Sequence, residues 1–303
     1  MIVRWGLGEL PGVLADAGID RPLLVAGPRW DSLAIPAAAR WSEVPSDRIA
    51  VSRDVDGILA VGGGSAIDTA KAASAASGLP LVSVPTTYSG AEWTTFFGVR
   101  SPDRRQVGGG GGARPAGIVY DPELTLDLPR ADSGGTALNA LAHCVEALYP
   151  GELEVARRGA AGIDRWLPRV LEDGRDVEAR TGLLEAASDA GRALAEHGLY
   201  LAHAMAQALG GRYGLPHGAM NALCLPPAMR FNAAVVPWAM TAVPVERVEE
   251  LARLAGFERL RDFGVQHEDL ADLAEAAALR GGNRNNPREA TPDEIEEMFD
   301  SIW

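Results

Sequence analysis

Four of the five histidines lie between residues 143 and 217, and their spacing is typical of a reactive site. Asn139 and His143 are four residues apart in one helical segment, and His203 and Gln207 are four apart in another, so each pair shares a helix face. His217 follows a Gly-Leu-Pro turn. Three imidazoles from three segments could converge on one metal ion, with Asn139 as a weak oxygen ligand. The alternative is that each histidine is solvated or hydrogen-bonded on its own, and this is the interpretation we give to His197 and His267.

A glycine turn is the second candidate site. The sequence Gly57-Ile-Leu-Ala-Val-Gly-Gly-Gly-Ser65 puts three glycines at the end of an apolar strand and opens a helix at Ser65. Glycines let the backbone approach a phosphate, and the free N–H groups and positive dipole end of the helix then bind it. Asp68 and Lys71, the chain's single lysine, follow at i, i+3 on that helix. The predicted phosphate-binding residues are Gly62, Gly63, Gly64, Ser65 and Asp68.

Hydroxyl side chains follow the next apolar run, in Thr86-Thr-Tyr-Ser89. Hydroxyls at this place suit pyrophosphate, ribose or substrate oxygens, and their alternative role is to cap a turn. We expect Thr86, Thr87 and Ser89 to contact a cofactor and Tyr88 to contact the substrate.

The pattern of apolar and polar residues along the chain changes near residue 130. Short runs rich in Val, Ile and Leu alternate with Ala-rich helical segments before it, at Leu23–Gly27, Gly57–Gly62, Leu81–Pro85 and Gly117–Tyr120. This alternation predicts a parallel sheet covered on both faces. Beyond residue 130 Ala, Leu, Arg and Glu recur at helical spacing. We therefore predict an α/β Rossmann-like domain over residues 1–130 and an all-α domain over residues 131–303.

Composition excludes several classes of function. The 303 residues carry a net charge of −13 with no basic block, which argues against nucleic-acid or membrane-surface binding. Cys144 and Cys224 have no metal or redox spacing, and no signal-peptide or membrane-spanning pattern occurs. A cytoplasmic protein acting on a small molecule is the expectation.

A series of motifs resembles the iron-containing alcohol dehydrogenase superfamily, and within it the maleylacetate reductase branch. The motifs are Gly62-Gly-Gly-Ser-x-x-Asp-x-x-Lys71, Pro85-Thr-Thr-Tyr88, Tyr120-Asp-Pro-Glu-Leu124, Asn139-Ala-Leu-Ala-His143, Gly210-Gly-Arg-Tyr-Gly-Leu-Pro-His217 and Asn286-Pro-Arg288. The resemblance implies an N-terminal NAD(P) domain, a helical C-terminal domain, a site in the cleft between them, and a homodimer.

The resemblance also implies roles for single residues. Asn139, His143, His203 and His217 occupy the family's metal-ligand positions for iron or zinc. Asn139 replaces the usual Asp and removes the only anionic ligand, so weak metal binding or none is expected, as in maleylacetate-reductase-like members. The catalytic positions fall on His143, His203, Gln207 and His217.

Three departures from the family bear on the chemistry. Gln207 stands where the family has a proton-transferring histidine, and glutamine cannot exchange a proton near neutral pH. Gln106 stands where the family commonly has a lysine near the substrate, in a glycine-rich stretch that we interpret as a surface loop or a lid. The segment between Gly27 and Gly62 is shorter than in relatives, by part of a βα unit.

Three functional hypotheses remain at this point. The first is an NAD(P)H-dependent reductase of a small, carboxylated carbonyl or enone compound, with Tyr88, Gln106 and Asn139 contacting the substrate. The second is a non-redox isomerase, lyase or cyclase recruited from this family into a specialised biosynthetic pathway, motivated by the loss of proton donors at Gln207 and Gln106. The third, a scaffold, is disfavoured because the glycine turn and the histidines are retained.

Overall fold

The chain divides into two units, Met1–Leu126 and Asp127–Trp303. The computed structural model describes residues 1–102 and 105–303, with the side chain of Gln106 outside the described part. None of the described helices is long and apolar enough to cross a membrane.

The first unit is built on a six-stranded sheet in which all neighbouring strands are parallel. Its strands are β1 (Ile2–Trp5), β2 (Pro22–Ala26), β3 (Ala39–Trp41), β4 (Gly57–Gly62), β5 (Leu81–Pro85) and β8 (Pro115–Tyr120), in the order β1-β8-β5-β4-β2-β3. Four of them coincide with the four apolar runs of the sequence, and the predicted α/β class is confirmed.

Each face of this sheet buries one helix. Alternate strand residues point to opposite faces. Leu59, Val61 and Val82 pack on the side of α1 (Leu10–Asp16), and Ile58 and Ala60 pack on the side of α2 (Gly64–Ser77). Strands buried on both faces explain why these runs are continuously apolar rather than alternating.

Most of the glycine-rich stretch is a strand, and the interpretation of it as a surface loop was wrong. Strand β7 (Gln106–Gly110) pairs antiparallel with β6 (Phe97–Arg100). A Cβ atom at Gly110 would lie 2.8 Å from Cζ of Phe97, so the missing side chain lets the Phe97 ring lie across the partner strand. Packing against this ring overrides the weak strand preference of glycine.

The segment between β2 and β4 is short. It contains β3 and a single 3-10 turn at Pro28–Trp30, and no α-helix. The reduced length noted in the sequence therefore corresponds to the absence of a helix between these two parallel strands.

The second unit, all of which is described, consists of nine α-helices. They are α3 (Arg130–Ala147), α4 (Glu154–Glu172), α5 (Val177–His197), α6 (Leu201–Tyr213), α7 (His217–Asn232), α8 (Val245–Leu254), α9 (Leu270–Ala278), α10 (Gly281–Arg284) and α11 (Pro292–Ser301). Helix α3 is surrounded by α4, α5 and α7 and is buried along nearly its whole length. Polar groups on α3 are therefore buried as well, and each needs a partner.

Candidate functional site

The turn between β4 and α2 has a backbone that only glycine fits well. Gly62 has a φ of +148°, and a Cβ atom there would lie 2.8 Å from Cβ of Ala66. The helix begins at Gly64 with Gly63 as its N-cap, and no side chain caps the first turn. The positive end of the helix dipole and its first N–H groups are thus left for a ligand.

Hydroxyl side chains from the chain after β5 lie directly against this turn. A Cβ atom at Gly63 would be 2.7 Å from Cγ2 of Thr87, and one at Gly64 would be 3.1 Å from Oγ of Ser89. Oγ1 of Thr87 is buried and has no hydrogen-bond partner among residues 1–102 and 105–303. Two glycines whose backbone packs directly against hydroxyl side chains, an uncapped helix start and a buried hydroxyl without a recorded partner together fit an anionic group such as a pyrophosphate.

The Lys71 side chain links α2 to the segment that contains Thr94 and Phe96. Its Nζ donates to Oγ1 of Thr94 at 2.6 Å and to the carbonyl of Phe96 at 2.8 Å, and it pairs with Asp68 at 3.3 Å. Burial lowers the pKa of Lys71, while Asp68 opposes the shift. The Asp68 carboxylate also accepts from the N–H of Gly98 at 3.3 Å, so it joins α2 to β6.

Glu92 is a buried carboxyl that the sequence reasoning did not single out. The Tyr120 hydroxyl donates to its Oε1 at 2.7 Å, and Trp93 Nε1–H donates to that hydroxyl at 2.7 Å. Oε2 has no hydrogen-bond partner within the described part of the chain. Burial raises the pKa of Glu92, more than its bond with Tyr120 and the nearby Lys71 lower it. No spacing pattern distinguishes this residue in the sequence.

Thr86, Tyr88 and Gln106 are the other residues of the first unit that the sequence predicted to contact a ligand. The backbone N–H of Thr86 donates to the carbonyl of Gly62 at 3.0 Å, which ties the hydroxyl segment to the turn. Tyr88 is fully buried. Gln106 begins β7, and its side chain lies outside the described part of the structure.

The second unit brings the predicted histidines together. The rings of His143 and His203 stack with centroids 4.8 Å apart, and those of His203 and His217 are 5.7 Å apart. Oδ1 of Asn139 is 3.3 Å from Nε2 of His203. Burial, reinforced by the neighbouring imidazoles, lowers the pKa of His143 well below its usual value. His217 is half-buried, whereas the other two histidines are buried.

Glu146 anchors this cluster and was missed in the sequence. Its carboxylate accepts the Nδ1–H of His203 at 2.6 Å and the backbone N–H groups of Tyr200 and Ala202 at 3.0 and 2.9 Å. Glu146 therefore accepts free backbone N–H groups at the start of α6, and it orients the His203 ring with Nε2 towards Asn139. The spacing 139, 143, 146 on one helix face was the signal that could have revealed it.

Asn221, one turn after His217 on α7, joins the cluster as a donor. Its Nδ2 donates to Oδ1 of Asn139 at 2.7 Å and to Nε2 of His217 at 3.0 Å. A bound cation would need the lone pairs of these same two acceptor atoms. The amide thus makes the bonds to Asn139 and His217 that a bound metal would make.

The donor set does not fit a divalent cation. It contains no carboxylate facing the imidazoles, since the Glu146 oxygens are used behind His203. Among residues 1–102 and 105–303, no group of three or more His, Cys, Asp or Glu side chains could hold a metal ion. The cluster acts chemically as a hydrogen-bonding surface of amides and imidazoles.

Gln207 lies one helical turn beyond His203 and meets Arg280, a residue that the sequence reasoning did not consider. Nη2 of Arg280 donates to the backbone carbonyl of Gln207 at 3.0 Å, and Nη1 donates to its Oε1 at 3.4 Å. His267 lies elsewhere, exposed and 2.8 Å from Asp300, in agreement with its interpretation as a surface residue.

Comparison with protein families gives two matches on this chain. Residues 134–303 match the C-terminal domain of the Fe-containing alcohol dehydrogenase family, and residues 48–122 match the iron-containing alcohol dehydrogenase family.

Several relatives that match nearly the whole chain are maleylacetate reductases. The maleylacetate reductase of Pseudomonas knackmussii is 32% identical over 322 residues, covering 95% of this chain and 91% of the relative. Maleylacetate reductase 1 of Cupriavidus pinatubonensis is 33% identical, covering 96% and 90%.

Solved structures match equally broadly. An iron-containing alcohol dehydrogenase from Corynebacterium glutamicum aligns with a TM-score of 0.88 at 28% identity, covering all of this chain and 94% of the other. The maleylacetate reductase from Agrobacterium tumefaciens aligns with a TM-score of 0.86 at 25% identity, covering 100% and 95%.

Proposed function

Because the chain belongs to the iron-containing alcohol dehydrogenase family, we propose that it is an NAD(P)H-dependent reductase of a small carboxylated carbonyl or enone compound. Relatives named maleylacetate reductase, about a third identical over nearly the whole chain, support the reductase activity and suggest the substrate class.

The observation that carries the cofactor part of this proposal is the cradle formed by Gly63, Gly64 and Thr87. The side-chain-free backbone of the two glycines, packed directly against Thr87, and the buried Thr87 hydroxyl without a hydrogen-bond partner among the described residues suit a pyrophosphate. In this proposal Gly62–Ser65 bind the phosphates through backbone N–H groups, and Thr86, Thr87 and Ser89 bind phosphate or ribose oxygens. The reduced nicotinamide, when bound, supplies a hydride. Asp68 supports the turn from behind through Lys71 and Gly98.

The proton that accompanies the hydride is proposed to come from His217. It is the half-buried imidazole of the cluster, and its Nε2 accepts from Asn221, so Nδ1 carries the hydrogen. His143 is kept neutral by burial and supports the stack rather than exchanging protons. Reduction of a carbonyl adds hydride to carbon and a proton to oxygen, and His217 meets the second requirement.

No step in this scheme uses a metal ion, because Asn221 already bonds Asn139 and His217. By family resemblance we also propose a homodimer, which light scattering of the purified protein would test.

The test of the proposal is the stoichiometry of turnover. Purified protein is mixed with maleylacetate and with NADH or NADPH, and both nicotinamide absorbance and substrate are followed. One reduced nicotinamide consumed for each substrate molecule is expected with one of the two cofactors. Loss of substrate without nicotinamide oxidation would instead establish a non-redox activity, and absence of NADH and NADPH binding in calorimetry would also overturn the proposal.

A further inference from the structure

Arg280 is a half-buried cation that lacks an anionic partner among the described residues. It makes two hydrogen bonds to Gln207, and its buried Nε atom has no hydrogen-bond partner in the part of the chain that the structure describes. Two other arginines of the same unit have carboxylate partners: Arg212 pairs with Asp269 and Arg247 pairs with Asp164, both at 2.5 Å. Removing a charged group from water without a counter-ion is costly.

The lowered pKa of Arg280 has the same origin. Burial is the single cause of the shift, and no carboxylate acts against it. Guanidinium groups stay protonated at physiological pH, so the cation persists and its electrostatic demand is not relieved by losing a proton. A bound anion would supply both the missing charge and an acceptor for Nε.

Helix packing places this cation next to the histidine cluster. A Cβ atom at Gly282 would lie 2.4 Å from the carbonyl oxygen of Tyr200 and 3.4 Å from Cβ of Ala204, so α10 approaches the first turns of α6 closely. Arg280 precedes α10 and bonds Gln207, four residues after His203 on α6. Residues four apart are neighbours on a helix face, so the guanidinium lies one helical turn from the cluster.

We propose that Arg280, positioned by Gln207, binds a carboxylate group of the substrate. This inference rests on the proposed reductase function and assigns the residue that selects a carboxylated substrate over a neutral aldehyde. The planar guanidinium presents parallel N–H groups that match the two oxygens of a carboxylate. Arg280 is then a specificity-determining residue, and Gln207 is a positioning residue.

The chemistry of Gln207 also fits this role. Its side chain accepts from Arg280 through a neutral amide oxygen, which orients the cation without neutralising it. A carboxylate at position 207 would bind the guanidinium more strongly and compete with an anionic ligand. The replacement of a proton-transferring histidine by glutamine is therefore tied to anion binding on this side of α6.

Arg280→Gln tests the proposal directly, with Arg284→Gln as the matched control. Arg284 lies on the same short helix and donates to the carbonyl of Leu279 at 2.7 Å, but it is exposed. Maleate is used as the dicarboxylate probe in calorimetry. We expect wild-type protein and Arg284→Gln to bind maleate alike, and Arg280→Gln to bind it at least about tenfold more weakly.

Steady-state kinetics give a second readout. With maleylacetate, Arg280→Gln is expected to raise KM at least about tenfold while kcat changes less than about threefold, since the carboxylate is bound in the ground state and the transition state alike. Arg280→Lys is expected to restore part of the affinity, because an ammonium keeps the charge and lacks the fork.

Gln207→Glu keeps the test decisive if Arg280→Gln does not fold. This variant leaves Arg280 in place and neutralises it, so maleate affinity is expected to fall by a similar factor with folding checked by circular dichroism. Equal maleate binding by wild type and folded Arg280→Gln and Gln207→Glu, or no maleate binding by wild type, would overturn the inference. If wild type binds maleate through Arg280 yet oxidises no nicotinamide, the reductase proposal fails while carboxylate binding stands.

Discussion

Asn139 and Asn221 place two neutral amides among three imidazoles, and this pairing decides what the helical unit can bind. Oδ1 of Asn139 accepts from Nδ2 of Asn221 at 2.7 Å. The two hydrogens on Nδ2 of Asn221 satisfy one acceptor on Asn139 and one on His217, and the amide carries no charge. A divalent cation, in contrast, gains most from an anionic oxygen ligand at close range.

Asn139→Asp is therefore expected to create metal affinity. A carboxylate at position 139 adds a negative ligand beside the imidazoles, and zinc affinity measured by calorimetry should rise at least about tenfold, or about 1.4 kcal/mol. Asn285→Asp, on an exposed residue, is the control and should bind zinc no better than wild type. Unchanged zinc affinity in a folded Asn139→Asp protein would show that geometry rather than charge excludes the metal.

Among the elements, the β4–α2 turn depends on contacts across two segments. Gly63 and Thr87 are 24 positions apart in sequence, yet a single Cβ atom at position 63 would collide with the Thr87 methyl group at 2.7 Å. The turn and the hydroxyl segment form one cradle, held together by the Thr86 N–H donating to Gly62.

Gly63→Ala is expected to weaken NADH or NADPH binding at least about tenfold, because the Cβ displaces Thr87 and narrows the approach to the backbone. Adding Thr87→Ser removes the colliding methyl group and keeps the hydroxyl, so the double variant should regain part of the affinity. Gly12→Ala, in α1 with open space around it, is the control. Calorimetric titration of each protein measures the effect, and equal affinity for Gly63→Ala and Gly12→Ala would contradict it.

The sequence predicted secondary-structure elements better than it predicted which distant residues contact one another. Strands β2, β4, β5 and β8 were readable because their runs are short, apolar and bounded by turns. The glycine strand β7 was misread, since its order comes from Phe97 on a neighbouring strand.

The candidate site shows the same limit. Asn139, His143, His203 and His217 were predicted together from spacing and family resemblance, and the structure gathers them. Arg280 escaped notice because its contact with Gln207 spans 73 positions and has no periodic trace in the chain. Long-range polar contacts of this kind depend on tertiary packing, which periodicity does not encode.

For the whole molecule, the buried Glu92 sets a pH dependence of stability. Burial raises the pKa of Glu92, so the folded protein keeps this proton to a higher pH than the unfolded chain. The associated stabilisation is complete below the ordinary glutamate pKa and is lost as pH rises through the raised value.

Glu92→Gln removes this titration and keeps an acceptor for Tyr120. The unfolding free energy of wild type minus that of Glu92→Gln should therefore be larger at about pH 5 than at about pH 8, in urea denaturation followed by fluorescence. Glu123→Gln, at an exposed glutamate of the same unit, is the matched control. A difference for Glu92→Gln that grows with pH would contradict the assignment of a raised pKa.

The chemical reactivity of Lys71 can measure local opening of the structure behind the β4–α2 turn. It is the chain's single lysine, and it is 1% exposed with its amine bonded to Thr94 and Phe96. Apart from the terminal amine, an acylating reagent therefore has one lysine to modify, and reaches it only when the segment behind the glycine turn separates from α2. The rate of mass gain at this residue would measure how often the phosphate cradle comes apart, with no engineered label.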